Sequence, residues 1–371
     1  PGRQARSLLH QLMKDREDSE LVKMAALEKV TPASLREFVH GIWSAASHVE
    51  GLIVGNVTAD EALAMGAVIR GTLRGGKVEP DDFPTRRCTV VPPGDARFAI
   101  PTQNPEEGTN VVYCYYQHGP STHELRAIGL LAQQLMSEKC FDQLRTKEQL
   151  GYVASAALEI LYEICGFRVM VESAFHSPAH VEERINAFLE SFPRTVEDMT
   201  DEEFVKTRRS LVDSVLTMDV SLTAEADRHW THVTNQKYQY YRGQIVASMI
   251  DKITKEEVVE WLKANVVPTA PNARRVTIFV HGKNHPLGDD GSNPGAMGPE
   301  DVKRLKQQWG LHPKQGDPAT VPELEAPPED VCRLTNTDVA DILRRREAAS
   351  AAAKGGADGA PKKMNQWAQR M

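Results

Sequence analysis

Cys140-Phe141-Asp142-Gln143-Leu144-Arg145-Thr146-Lys147-Glu148-Gln149-Leu150-Gly151-Tyr152 is where a long amphipathic helix gives way to a sheet. Upstream, Ser121-Thr122-His123-Glu124 has the form of a capping box, with a hydroxyl at the helix entrance and a carboxylate three residues on. The helix it opens repeats Leu125, Ile128, Leu131, Ala132, Leu135 and Met136 at helical spacing. Arg145 and Lys147 suit the negative end of the helix dipole, and Gly151 is a typical stop. Tyr152 then begins an apolar run. Two readings stand on these residues alone. One is a well-capped helix end. The other is a clamp, in which the Arg145 fork and the Tyr152 phenol hydrogen-bond a peptide backbone.

Working outward, 152–162 and 167–171 read as strands with Gly166 as the turn between them, and 111–116 is a strongly β-prone run. Ser177-Pro178 caps a helix whose inner face is Val181, Ile185, Phe188, Leu189 and Phe192. Thr200 with Glu203 and Thr254 with Glu257 box two more helices, and another covers 224–236. A buried strand at 276–280 closes this domain. Before it, 77–108 is rich in Pro, Asp and Gly, with short strands expected at 89–91 and 98–100. Residues 7–30 read as helix, Thr31-Pro32 starts a second, 51–55 is a short buried strand, and Thr58 with Glu61 boxes a third helix. The expected divisions are 1–76, a linker at 77–94, a complete domain at 95–282, and a Pro/Gly-rich insert with a low-complexity tail at 283–371.

Two segments match at a constant offset of 223 positions: Leu27-Glu28-Lys29-Val30-Thr31 with Ile250-Asp251-Lys252-Ile253-Thr254. In the same register Leu35, Phe38 and Val39 meet Val258, Trp261 and Leu262. Each is followed by a loop, an apolar run and a glycine. A duplicated α/β domain, its first copy truncated at the start, explains the shared order.

The totals exclude several classes. The 371 residues are 41% hydrophobic and 26% charged, ordinary for a globular chain with a sizeable core. A net charge of −7 offers no dominant basic field for nucleic acid. No apolar run reaches the roughly 18 residues of a membrane span. Five cysteines, widely spaced and without C-x-x-C, suit a reducing, cytoplasmic setting and exclude the usual structural zinc patterns. The chain begins at Pro1 with no signal-like leader, as a piece of a longer polypeptide would.

Peptide hydrolysis needs an activated water or a nucleophile, and the twelve histidines supply no helical H-E-x-x-H or H-x-x-E-H pair. His123-Glu124 lacks a second His, His176 precedes the helix that carries His180, and His281 and His285 flank a strand end. His229 and His232, three apart, suit a core edge better than a metal. No G-x-S-x-G elbow, P-loop or G-x-G-x-x-G occurs. The chain carries no complete catalytic constellation.

The 140–152 stretch, C-F-D-Q-L-R-T-K-E-Q-L-G-Y, resembles a characteristic segment in the C-terminal half of insulysin-type zinc peptidases, the insulin-degrading enzyme and nardilysin branch of the pitrilysin family. His48-Val49-Glu50-Gly51-Leu52-Ile53-Val54-Gly55-Asn56, the 181–192 helix with Glu197-Asp198-Met199-Thr200, and Trp230 with Gln236 and Tyr238 support it over about 7–282. The resemblance implies an α/β (α+β) architecture of tandem homologous domains, each a mostly antiparallel sheet backed by helices. It implies a zinc metalloendopeptidase whose zinc lies in an N-terminal half, this chain being the non-zinc half that closes a peptide chamber. That half and peptide substrates are the implied partners, with room for a homo-oligomer. It further implies that Tyr152 contacts the scissile carbonyl and that Arg145, Phe141 and Cys140 bind substrate. Relatives carry a Lys-rich segment where this chain has Thr217-Met218-Asp219-Val220-Ser221, so nucleotide regulation is not expected. The competing class is a non-catalytic peptide-binding or scaffold protein on the same fold.

Overall fold

Every residue from Val111 to Tyr116 is buried, although adjacent side chains on a strand point to opposite faces. The sheet topology explains this. Five strands, β1 (Gly94–Pro101), β2 (Asn110–Pro120), β3 (Val153–Leu161), β4 (Ile164–Ser173) and β5 (Arg274–His281), are ordered β1-β5-β2-β4-β3. β2 is the central strand and is covered on both faces, so it reads as a continuous apolar run. The β1–β5 pair is parallel and the other three pairs are antiparallel. In the computed structural model the described residues are 1–72, 75, 76, 78, 82, 83, 86–270, 273–288 and 299–312. They belong to one unit, Pro1–Glu325. Residues 339–353, whose sequence with Arg344-Arg345-Arg346 reads as a helix, lie outside them.

Val112, Cys114 and Tyr116 face one core together with α5 (His123–Cys140), α6 (Pro178–Glu197), α7 (Asp201–Val215), α9 (Arg242–Ile250) and α10 (Lys255–Asn265). Val111, Tyr113 and Tyr115 face a second core, built with α1 (Gly2–Met13) and α11 (Pro299–Trp309). Leu8, Leu9, Leu12 and Met13 of α1 are all buried there. The expected 7–30 helix is therefore two: α1 ends at Met13, and α2 (Glu20–Leu27) starts on a Ser19 cap. α1 packs on β2 and β5, the sheet of the later domain.

The caps sit close to where the sequence places them. The Thr200–Glu203 and Thr254–Glu257 boxes form, and Ser177 accepts from the His180 amide. Thr122, one residue along from the expected Ser121, caps α5. The hairpin turn between β3 and β4 differs from expectation. It is formed by Tyr162 and Glu163, with φ of 47° and 61°, a two-residue left-handed connection. Arg126 grips the Glu163 carboxylate through one nitrogen at 3.0 and 2.9 Å, and Arg242 lies 3.5 Å from it. Gly166 lies inside β4, where a Cβ would come within 2.2 Å of the Tyr115 ring.

Residues 14–72 contrast with this packing. α2, α3 (Pro32–Ser44) and α4 (Ala59–Thr72) bury no residue. The strand expected at 51–55 is not formed, and Ile53 is 44% exposed. A strand needs a neighbour to accept its backbone bonds, and none of the five strands lies beside this segment. Tyr238, hydrogen-bonded to Glu50, ties the segment to the α8–α9 connection, α8 spanning Leu222–Thr234.

Candidate functional site

α5 does not stop at Cys140 but widens into a π-helical turn, Phe141–Lys147. Such turns are rare and recur at functional sites, because the wider winding turns side chains away from ordinary α-helical positions. Its end is anchored twice. Leu144 and Leu150 are buried, with the Leu150 amide donating to the Leu144 carbonyl at 3.0 Å. Glu148 takes Arg184 of α6 through two bonds, 2.8 and 3.1 Å, and Gln143 at 2.7 Å. The Arg184 bonds hold its carboxyl below the usual range. Gln149 adopts a left-handed φ of 52°, and Gly151 passes so close to β4 that a Cβ would sit 1.8 Å from the Glu172 carbonyl oxygen. Only glycine fits there.

This frame fixes what lies outside it. The Arg145 guanidinium stacks on two rings, 4.5 Å from the Phe141 centroid and 5.2 Å from that of Tyr152. Stacking of this kind holds an arginine without consuming its donors. Among the described residues Arg145 makes no hydrogen bond or ion pair, and the Tyr152 hydroxyl has no partner. Tyr152 is 82% exposed. Arg145, Thr146, Gln149, Gly151, Tyr152 and Phe175 line an open depression of about 410 Å³, at the lower end of ligand-sized sites.

Three of the four expected site residues thus come together. Cys140 does not. It is fully buried in the core under α5, and burial pushes its thiol up to about 12. Adjacent helical residues point about 100° apart, so a helix that exposes Phe141 turns Cys140 inward. Phe175 is the residue that sequence reasoning missed.

The histidines fall elsewhere. His229 and His232 pack edge-on against Tyr240, with centroids 5.4 and 5.8 Å away, and burial pushes His232 down to about 4. The rings of His176 and His180 are 5.1 Å apart near the start of α6. Among the described residues no three His, Cys, Asp or Glu side chains form a group that could hold a metal ion. The four described cysteines are free and buried, and no described helix is long and apolar enough to cross a membrane.

Comparison with known proteins adds descent to this geometry. A family model described as PQQ synthase PqqF-like, C-terminal lobe domain 4, matches residues 130–230. Human insulin-degrading enzyme is 30% identical over 259 residues, 69% of this chain and 25% of that protein. A nardilysin-like protein of Arabidopsis thaliana is 28% identical over 267 residues, covering 70% and 26%. The A-factor-processing enzyme of Saccharomyces cerevisiae is 26% identical over 337 residues, covering 89% and 32%. The crystal structure of pitrilysin superposes with a TM-score of 0.66 at 18% identity, over 80% of this chain and 31% of that one. The chain spans about a quarter to a third of the length of these curated relatives. By sequence and by fold, the chain belongs to the insulysin-type branch of the pitrilysin peptidase family.

Proposed function

We propose that this chain is the non-zinc half of an insulysin-like metalloendopeptidase, and that it grips and positions short peptides for hydrolysis elsewhere in the same protein. One observation carries the reading. Arg145 is held between Phe141 and Tyr152 at the rim of an open depression, with its hydrogen-bond donors uncommitted among the described residues. Rigid donors with no internal acceptor are what a site needs to receive an external backbone carbonyl. Arg145 would orient the peptide. Tyr152 would donate to the carbonyl oxygen as charge develops on it, and Phe141 would contact a neighbouring side chain. Cys140 supports the helix from behind.

On this reading zinc, which would activate the attacking water, is bound by an N-terminal half outside this chain. Residues 1–76 would include the end of a preceding domain, whose apolar helix faces that half completes, closing the peptide chamber. The relatives' names support the peptidase class, since one degrades insulin and another processes A-factor by name.

The test is reconstitution. This chain alone should cleave no peptide, with or without added zinc. Joined to its zinc-bearing half it should cleave short unstructured peptides, and a chelator should abolish the activity. Zinc-dependent cleavage by this chain alone would overturn the division of labour. A reassembled protein that binds peptides and never cuts them would favour the scaffold class.

A further inference from the structure

Phe175 is 79% exposed and belongs to neither hydrophobic core. An aromatic ring left in water contributes nothing to folding, yet its backbone is held in place with care. The Ser173 hydroxyl accepts from the amides of Phe175 and His176, at 3.4 and 3.0 Å. Asn110, at the start of β2, donates to the His176 carbonyl at 3.2 Å. Asn284, past the end of β5, donates to the Ala174 carbonyl at 3.1 Å. His285 in its Nε2–H form donates to the Phe175 carbonyl at 3.3 Å. Asn110 also accepts from the Gly282 amide at 2.8 Å, locking the two supporting segments together. Two segments distant in sequence, together with Ser173 beside it, therefore fix one turn. Its product is a ring at the edge of the depression that Arg145 and Tyr152 line.

The chemistry of the lining says what fits. Phe175 and Tyr152 both line the depression, and the Arg145 guanidinium is stacked on Phe141 and Tyr152 rather than hydrogen-bonded among the described residues. Among the described residues no carboxylate lines the depression, so none of them attracts a basic side chain there. An occupant must bring a hydrogen-bond acceptor for Arg145 and an apolar group for the two rings. A peptide residue with a large aliphatic or aromatic side chain supplies both, through its backbone carbonyl and its side chain.

We propose that Phe175 is a specificity-determining residue, the wall that selects an apolar side chain beside the backbone held by Arg145. The proposal rests on the peptide-gripping role given to this site above. The fixed backbone of the Phe175 turn matters, because a segment already in place lowers the ordering entropy that binding costs.

The test is equilibrium binding to this 371-residue chain, followed by NMR titration. The probes are two six-residue peptides identical except for a central Leu or a central Ser. The wild-type chain is expected to prefer the Leu peptide. Phe175→Ala, which leaves the backbone bonds intact, is expected to cut that preference by about tenfold, the scale of losing apolar contact in a side-chain pocket. Phe175→Leu should restore most of it, and the Ser peptide should bind all three chains alike. Equal preference in wild type and Phe175→Ala overturns the specificity role while leaving the peptide-gripping reading in place. No binding of either peptide to wild type overturns both.

Discussion

The segment from Leu27 to Val39 and its counterpart from Ile250 to Leu262 carry nearly the same signals and meet different fates. Each opens a helix on a threonine with a complete capping box, Thr31 with Ser34 and Thr254 with Glu257. Yet Val258 and Leu262 are at 0% and 1% exposure, while Leu35 and Val39 are at 53% and 42%. Trp261 packs against the core and Phe38 is 65% exposed. Capping and helical periodicity are local and act in both. Burial needs a sheet, and only α10 has one, in a domain whose strands are all paired. The comparison separates the part of a fold that a short sequence dictates from the part that the rest of a domain must supply.

The largest test of that contrast is truncation at equivalent positions. Leu262→Ala should destabilise the domain by about 2–5 kcal/mol, the range for emptying a packed core site. Val39→Ala should stay within about 0.5 kcal/mol, as surface changes do. Chemical denaturation of this chain measures both, and equal losses would erase the contrast. The caps come next. Thr254→Ala and Thr31→Ala each remove one helix-end bond, worth about 1 kcal/mol. The first should appear in the global unfolding midpoint. The second should appear only as faster local amide exchange across α3, because no core couples that helix to the rest. A drop in the global midpoint for Thr31→Ala would contradict the account.

The smallest effect sharpens the comparison at the site itself, where α6 holds the π-helical turn through Arg184 and Glu148. The Glu148 carboxyl is depressed in the folded chain, first by the Arg184 bonds. Its contribution is therefore complete above the unfolded carboxyl value of roughly 4.3 and is lost as pH falls through the lower folded value. Glu148→Gln should lower the thermal midpoint at pH 6, and the gap from wild type should close on acidification below about 4. A gap constant down to pH 3 would remove the ion pair from the anchoring role.

Legibility in the sequence followed the same division. The 111–116 run of β2 was readable because a central strand covered on both faces carries apolar and aromatic side chains on both. The caps of α6, α7 and α10 were readable because Ser or Thr before a helix acts within four residues. The β3–β4 turn escaped because it uses Tyr162 and Glu163 in a left-handed conformation that glycine normally fills, and the nearby Gly166 drew the turn to itself. The strand at 51–55 was over-read, since an apolar run shows only that a strand would be buried if partners were present. At the site, Arg145 and Tyr152 lie in one short motif and were found together. Cys140 joins them only through the family resemblance, and the helix turns it to the core. Phe175 was out of reach, for its turn is fixed by Asn110 and Asn284, and no local pattern joins those positions.

The central claim is that Tyr152 lends its hydroxyl to chemistry performed by another segment. Turnover of a short peptide by the intact protein, wild type against Tyr152→Phe, tests it most directly. Tyr152 is 82% exposed, so the substitution should leave the unfolding midpoint unchanged. The account predicts a fall in kcat of about 10²-fold or more, the usual effect of losing one oxyanion donor, with KM little altered. An unchanged kcat would contradict it.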